Sequence, residues 1–439
     1  MVSTPVRPSP QGHPPPNPPR KTQRTSAVAA RKRRTPKGTG AATGSGTGAG
    51  SKVSTLFKEF WPRIEGSNRP SNGSSYYMIL GATLALTCIG LMMVFSASAV
   101  ESIAQGADPY QLGVRESIFA ALGLALMFGL SRATPKFLKR VAWPGMLFSA
   151  TLLILVLAIG VQINGNKNWI RINDSLSFQP SEAVKLALAL WMASVFARKE
   201  PMLRLKRHLF VPVVPVAAAF VILVLAEGDL GTSVILMAIV AAGLYFAGAP
   251  ARIFVGAGLA GAVAAVALAL TNSNRLGRLA AWQGQCANDP FGLCDQARNG
   301  LYGMASGGWL GVGLGQSRQK WNWIPEAHND FIFAIIGEEF GLLGTIIIVV
   351  LYGVIALAIF RVIVRHNDLF IRVVCGCIMA WIIGQAFVNI AMVTGLLPVI
   401  GVPLPLISYG GTALTLVLAA IGVVLSFARS SPESDRAPS

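Results

Sequence analysis

Residues 320–341 read KWNWIPEAHNDFIFAIIGEEFG, and this stretch joins two kinds of chain. A long polar segment precedes it, and from Phe331 to Phe360 the residues are almost all apolar. Acids are scarce in the sequence, yet Glu326, Asp330, Glu338 and Glu339 fall here beside His328. Trp321, Trp323, Phe331 and Phe333 lie among them, as expected where a chain meets a membrane surface. Carboxylates at the mouth of an apolar bundle are costly and point to chemistry or ion handling. A second reading stands beside this one: Asp330 precedes FIFAII, where a short polar residue ordinarily caps a helix.

Outward from this junction, the chain of 439 residues is 53% hydrophobic and 13% charged, which excludes an ordinary soluble domain. Apolar runs long enough to cross a bilayer recur at about 77–98, 116–131, 141–162, 182–198, 209–226, 232–248, 252–271, 331–360, 371–394 and 408–428. The fold class is therefore an all-α polytopic membrane protein, a bundle of about ten transmembrane helices with a large outer loop over 272–330. The eighth run is ambiguous. Phe340–Phe360 alone can cross, so the turns before it either project from the bilayer or lie in a polar cavity holding Glu338 and Glu339.

The net charge of +18 sits mostly in the tail. Residues 1–76 hold thirteen Lys/Arg against Glu59 and Glu65. Residues 1–75 are rich in Pro, Gly, Ser and basic side chains and read as a disordered cytoplasmic tail, with 429–439 a short second tail. This charge does not imply nucleic acid; the Arg31–Arg34 cluster suits anionic membrane lipid or an acidic partner, or simply fixes orientation. With the N-terminus inside, inner loops carry thirteen Lys/Arg and the longer outer loops eight, which puts both termini in the cytoplasm.

On that topology the polar clusters converge on one outward-facing cavity. INGNKNWIRINDSLSFQPSEAVKLAL (163–188) places Lys167, Arg171 and Lys185 where a phosphate-bearing substrate needs cations. Ser181 reads there as a helix cap, and Lys185 either snorkels outward or serves the site. EGDLGTS (227–233) adds Glu227 and Asp229, the latter also a candidate cap. Gln385 and Asn389 share one helix face, where bonding to a neighbouring helix is the commoner role. Pro398, Pro403 and Pro405, then Gly410 and Gly411, break the chain at membrane depth, which requires protein or a watery cavity around them. GLYGMASGGWLGVGLGQ (300–316) follows no strand and lies outside, which argues against a nucleotide loop and for close backbone approach. Cys286 and Cys294 share the outer loop and are a candidate disulfide; Cys88, Cys375 and Cys377 read as core residues.

FQPSEAVKLAL (178–188), GDLGT (228–232), PEAHNDFIFAIIGEEFG (325–341) and GLLPVIGVPLPLISYGG (395–411) together resemble the SEDS family (shape, elongation, division and sporulation) over about residues 76–428. The resemblance implies a ten-span peptidoglycan glycosyltransferase of the bacterial cytoplasmic membrane. Such an enzyme polymerises lipid II into a growing glycan strand at the outer face, beside an FtsI-like class B penicillin-binding transpeptidase. PEAHNDFIFAIIGEE and the long basic tail resemble the septal, cell-division branch more than the elongation branch, and the tail is then a place for other division proteins to bind.

The family's catalytic Asp falls on Asp330. Lys185, Arg171, Lys167, Trp169, Glu182, Gln179, His328, Glu326, Glu338, Gln385, Asn389 and Ser408 are the candidate substrate contacts. No organic cofactor is implied; cationic side chains or a divalent metal (Mg2+ or Mn2+) would offset the diphosphate charge. Departures from the family pattern are Asn329 for Thr, Gly228 for Pro, Thr412 for Ser, and NKNW (166–169) without the paired Arg often found before that Trp. A lipid II flippase is the rival reading, since intramembrane charges and broken helices suit transport too.

Overall fold

The structure, a computed structural model, describes residues 72–104, 106, 108–163, 166–173, 176–270, 273–285, 293–321, 324 and 327–429. Most of the tail assigned to 1–75, the last ten residues, Cys286 and Glu326 lie outside the described residues.

Ten helices stand where the ten apolar runs predict them. They are α1 (Asn72–Ala104), α2 (Gln111–Leu130), α3 (Pro135–Ile159), α4 (Pro180–Arg198), α6 (Val213–Ala226), α7 (Leu230–Phe246), α8 (Ala251–Leu270), α11 (Ile332–Arg365), α12 (Leu369–Val393) and α13 (Gly411–Arg429). Eight of the spans are long and apolar enough to cross a membrane, and α7 is a shorter apolar helix. α1 begins at Asn72, a few residues inside the stretch assigned to the tail. A short α5 (Lys206–Phe210) leads into α6.

Most spans are apolar all round, as expected of helices facing both lipid and one another. α4, α12 and α13 are the most enclosed, whereas α2, α3 and α6 present much of their surface outward. Around that centre, α13 packs on α2 and α1, α12 on α7 and α4, and α11 on α1 and α12.

Two connections carry more structure than the sequence reading gave them. The α3–α4 link is a three-stranded antiparallel meander, β1 (Val161–Ile163), β2 (Asn166–Asn173) and β3 (Leu176–Phe178). β2 is the central strand, with Trp169 opposite Val161 and Arg171 opposite Ser177. The outer segment 272–330, expected as a loop, contains α9 (Ser273–Trp282) and α10 (Leu293–Ser306). Both helices are amphipathic, so they can lie against the bundle rather than cross it.

The ambiguity of the eighth run resolves at Gly341. This residue takes φ 67° and ψ −163° inside α11 and breaks it into a short buried part of about two and a half turns, Ile332–Phe340, and a long spanning part. The break strands backbone groups that must be satisfied at membrane depth. The glycine-rich segment satisfies them: Val312 N–H donates to Glu338 C=O (2.9 Å), Gly313 N–H to Glu339 C=O (3.1 Å), and Leu342 N–H to Gly308 C=O (2.9 Å). A Cβ on Gly307 or Gly311 would collide with the carbonyls of Gly337 and Glu339. The glycines therefore serve close backbone approach, as read from sequence.

Candidate functional site

Asp330 is half-buried in a turn one residue before the cap position of α11, which Phe331 occupies. Its backbone is fixed from α12: Asn389 Nδ2 donates to Asp330 C=O (2.8 Å) and to Val402 C=O (2.7 Å). The carboxylate lies beside Gly401, in the proline-rich break between α12 and α13. A Cβ at Gly401 would stand 3.4 Å from Asp330 Oδ2 and 3.5 Å from Arg278 Nη1. Gly401 has φ +70°, a conformation that suits glycine, and its missing side chain leaves open a point next to both the acid and the guanidinium. Arg278 comes from α9, which is held to the same break by Arg278 Nη1 donating to Val399 C=O (3.3 Å) and Trp282 Nε1 to Gly395 C=O (2.9 Å).

Lys185 sits one helical turn inside α4 and does not snorkel. It is 1% exposed, 2.6 Å from Glu182 Oε1, bonded to Gln385 Oε1 at 3.0 Å, and 5.0 Å from the centre of the Trp381 ring. Gln385 also accepts from Trp381 Nε1 (3.0 Å) and donates to Pro403 C=O (2.9 Å). Glu182, Lys185 and Gln385 thus form one buried network across α4 and α12, and Asn389, one turn further along α12, holds the backbone of Asp330.

Ser181 is not the cap of α4. Gln179 takes that position, and the Ser181 hydroxyl is buried without a partner. The helix has Pro180 at its first position, where a missing N–H costs nothing. Gln179 instead donates to Asp229 Oδ2 (3.0 Å). Asp229 does cap α7, accepting from Thr232 N–H (2.8 Å) and also from Asn168 Nδ2 (3.0 Å), so it pins the β2 strand to the bundle. Lys167 lies over the end of α3, its ammonium donating to Leu157 C=O (2.7 Å) and Ala158 C=O (3.3 Å), where the helix dipole favours a cation. Trp169 is half-buried on β2, and Arg171 is exposed.

Glu338 accepts from the Ser317 hydroxyl and from Arg318 N–H (3.0 Å), bracing the outer segment. Glu339 pairs with Lys320 at 3.2 Å and accepts from Ser96 Oγ on α1 at 3.2 Å. These two acids anchor the short helix that follows Asp330. His328 is buried, its ring edge-on to Tyr409 at 5.2 Å between centroids, and its carbonyl accepts from Tyr409 N–H (3.0 Å). Ser408 Oγ accepts from Leu404 N–H (2.7 Å) and rigidifies the break.

Two residues escaped the sequence reading. Glu116, buried in α2, accepts from Gly410 N–H (3.3 Å); an acid inside an apolar run was the available signal. Arg278 counted only as a loop charge, and nothing local marks it out.

Glu227, between α6 and α7, is 1% exposed with neither carboxyl oxygen hydrogen-bonded. Burial, then the charge of Asp229, pushes its carboxyl up to about 8. Cys294 is buried and disulfide-bonded, whereas Cys88, Cys375 and Cys377 are free. Among the described residues no three His, Cys, Asp or Glu side chains gather into a metal-ligand set.

A helical bundle with a broken, polar-lined centre and an acid–guanidinium pair at its edge defines a multi-pass membrane protein with an ionic site. The family described as "Cell cycle protein" (FtsW, RodA and SpoVE) matches residues 76–433. The chain belongs to that family. It is 38% identical over 363 residues to "Probable peptidoglycan glycosyltransferase FtsW" of Mycobacterium tuberculosis, covering 82% of this chain and 69% of the relative. It is 35% identical to "Stage V sporulation protein E" of Bacillus subtilis, covering 80% of this chain and 95% of that one. Among solved structures it resembles a chain of a peptidoglycan synthase complex described as coordinating polymerization and crosslinking (TM-score 0.66, 26% identity, 80% of this chain and 96% of that chain). It also resembles the Rod shape determining protein RodA of Thermus thermophilus (TM-score 0.59, 26% identity, 80% and 96%).

Proposed function

We infer that this membrane enzyme is a peptidoglycan glycosyltransferase that joins lipid II into glycan strands, with Asp330 as its general base. The observation that carries the reading is the placement of Asp330: a half-exposed carboxylate, backbone-anchored, beside a cation, in the region where the chain matches glycosyltransferases named FtsW.

The chemistry follows from the groups. A sugar 4-hydroxyl is a weak nucleophile, and a positioned carboxylate accepts its proton as the oxygen attacks C1 of the lipid-linked donor. The new C1–O bond forms while the bond from C1 to the diphosphate oxygen breaks. The electron pair leaves on the polyprenyl diphosphate, and the proton rests on Asp330 until water removes it. The leaving group is a stable anion, so cations stabilise it better than a strong acid would. Anchoring of Asp330 by Asn389, and of the helix after it by Glu338 and Glu339, holds the base in place before substrate arrives. The described side chains assemble no metal-ligand set, so no step is assigned to Mg2+ or Mn2+. Outside the central bundle, the polyprenyl tail can stay in lipid while its headgroup enters.

The outer-facing orientation, with both termini cytoplasmic, is supported by loop charge. A transpeptidase partner of the class B penicillin-binding type is supported by the likeness to a chain of a complex that couples polymerization to crosslinking. A septal role is supported by the relatives named FtsW. We assign Cys286, which shares the outer segment in the sequence, as the disulfide partner of Cys294.

Purified protein in detergent, given lipid II, should make glycan strands. Detergent removes the two leaflets, so polymer there cannot come from flipping. Failure to polymerise, alone and with a cognate transpeptidase, while liposomes containing the protein translocate lipid II, would overturn the reading in favour of transport.

A further inference from the structure

The proposed reaction expels a diphosphate; of the cations near the outer side, Arg171 is exposed on β2 and three lysines are held by protein partners. Lys185 is sealed between Glu182, Gln385 and Trp381. Lys167 sits over the carbonyl end of α3. Lys320 is bound to Glu339, Ser96 and Gly315 C=O. Arg278 also bonds within the protein, to Val399 C=O, but its guanidinium stands by the same Gly401 as the Asp330 carboxylate, within 3.5 Å of the point that a Cβ would fill. It reaches that point from α9, an outer helix held to the proline-rich break by Arg278 and Trp282.

We propose that Arg278 grips the diphosphate of the lipid-linked donor beside Asp330 and stabilises the negative charge that builds as the C1–O bond breaks; this rests on the reading of Asp330 as the base. A guanidinium suits the task. It presents a rigid fork of donors that matches phosphate oxygens and stays charged at any working pH. Its neighbour also explains its place. An opposite charge beside Asp330 puts the group that holds the diphosphate next to the group that takes the proton. Gly401 completes the device, because a Cβ there would press on both groups.

The test separates this proposal from the role of Asp330. Farnesyl diphosphate, a soluble probe carrying the leaving group's chemistry, is titrated against full-length wild-type, Arg278→Gln, Arg278→Lys and Asp330→Asn proteins in one detergent and salt. Arg278→Gln is expected to weaken binding by about 10-fold or more and kcat/KM for lipid II by about 10²-fold. Arg278→Lys should lie between, since an ammonium keeps the charge without the fork. Asp330→Asn should bind the probe at least as tightly as wild type, because it loses only a neighbouring negative charge. If Arg278→Gln fails to fold, Arg278→Lys decides, with KM raised several-fold at a wild-type melting temperature. Unchanged probe affinity in the folded Arg278 variants would overturn the proposal whatever Asp330→Asn does. Loss of affinity at Arg278 with full polymerisation by Asp330→Asn would leave the anion site standing and remove the base.

Discussion

The protein holds acid–cation pairs of opposite character, and α12 contributes contacts to both. Glu182 and Lys185 are sealed inside α4 and α12, 2.6 Å apart, with Gln385 and Trp381 closing the sides. Asp330 and Arg278 stand half-exposed about Gly401, on an outer turn and an outer helix. The difference teaches that charge at membrane depth does not by itself mark the reacting groups. A sealed pair has exchanged water for protein partners and acts as a fastener; a half-exposed pair can still exchange its partners for a ligand.

That contrast can be broken at its sealed end first. Lys185→Met removes one partner and leaves Glu182 buried without its cation. It is expected to cost ~3–5 kcal/mol of stability, read as a fall in melting temperature, with the double variant Glu182→Leu/Lys185→Met recovering much of it. If the single variant melts like wild type yet binds farnesyl diphosphate poorly, Lys185 belongs to the site and the contrast fails.

The glycine plug gives the next largest effect. Gly311→Ala drives a Cβ into the Glu339 carbonyl at a φ of +81°, and should destabilise by about 1–3 kcal/mol. Because Glu338 and Glu339 brace the helix after Asp330, turnover should fall along with the melting temperature. An alanine there that changes neither would show that the outer segment does not hold the base.

The smallest effect is at Glu227. Its folded carboxyl is raised to about 8 from an ordinary 4.5, so the folded state holds a proton that the unfolded chain has lost between those values. The contribution is present below the lower value and disappears as pH rises through the upper one. The melting temperature of wild type should therefore decline over that window, and Glu227→Gln should flatten the decline while leaving turnover near wild type. Parallel curves for the two proteins would show that Glu227 is not held protonated.

Much of this was legible in the sequence, for identifiable reasons. The ten spans follow from apolar length, and the role of the glycines from their density beside a helix start. The Asp229 cap follows from DLGT, and Asp330 from an acid where acids are costly. The state of Lys185 was not legible: snorkelling and burial differ only in which neighbours α4 has, and α4 proved enclosed on nearly every side. The β meander was hidden because NKNWIRIN lacks the clean alternation of a strand with one buried face. Arg278 was hidden because its meaning depends on the fold bringing α9 to the Gly401 break, across a segment that looks like loop.

The most direct test of the account is lipid II polymerisation by purified Asp330→Asn protein with a melting temperature equal to wild type. The substitution keeps the size of the side chain and an oxygen able to cap a helix, but removes the basicity. The account predicts a fall in turnover of ~10²-fold or more with farnesyl diphosphate binding preserved. Near-normal glycan output from that protein would contradict it.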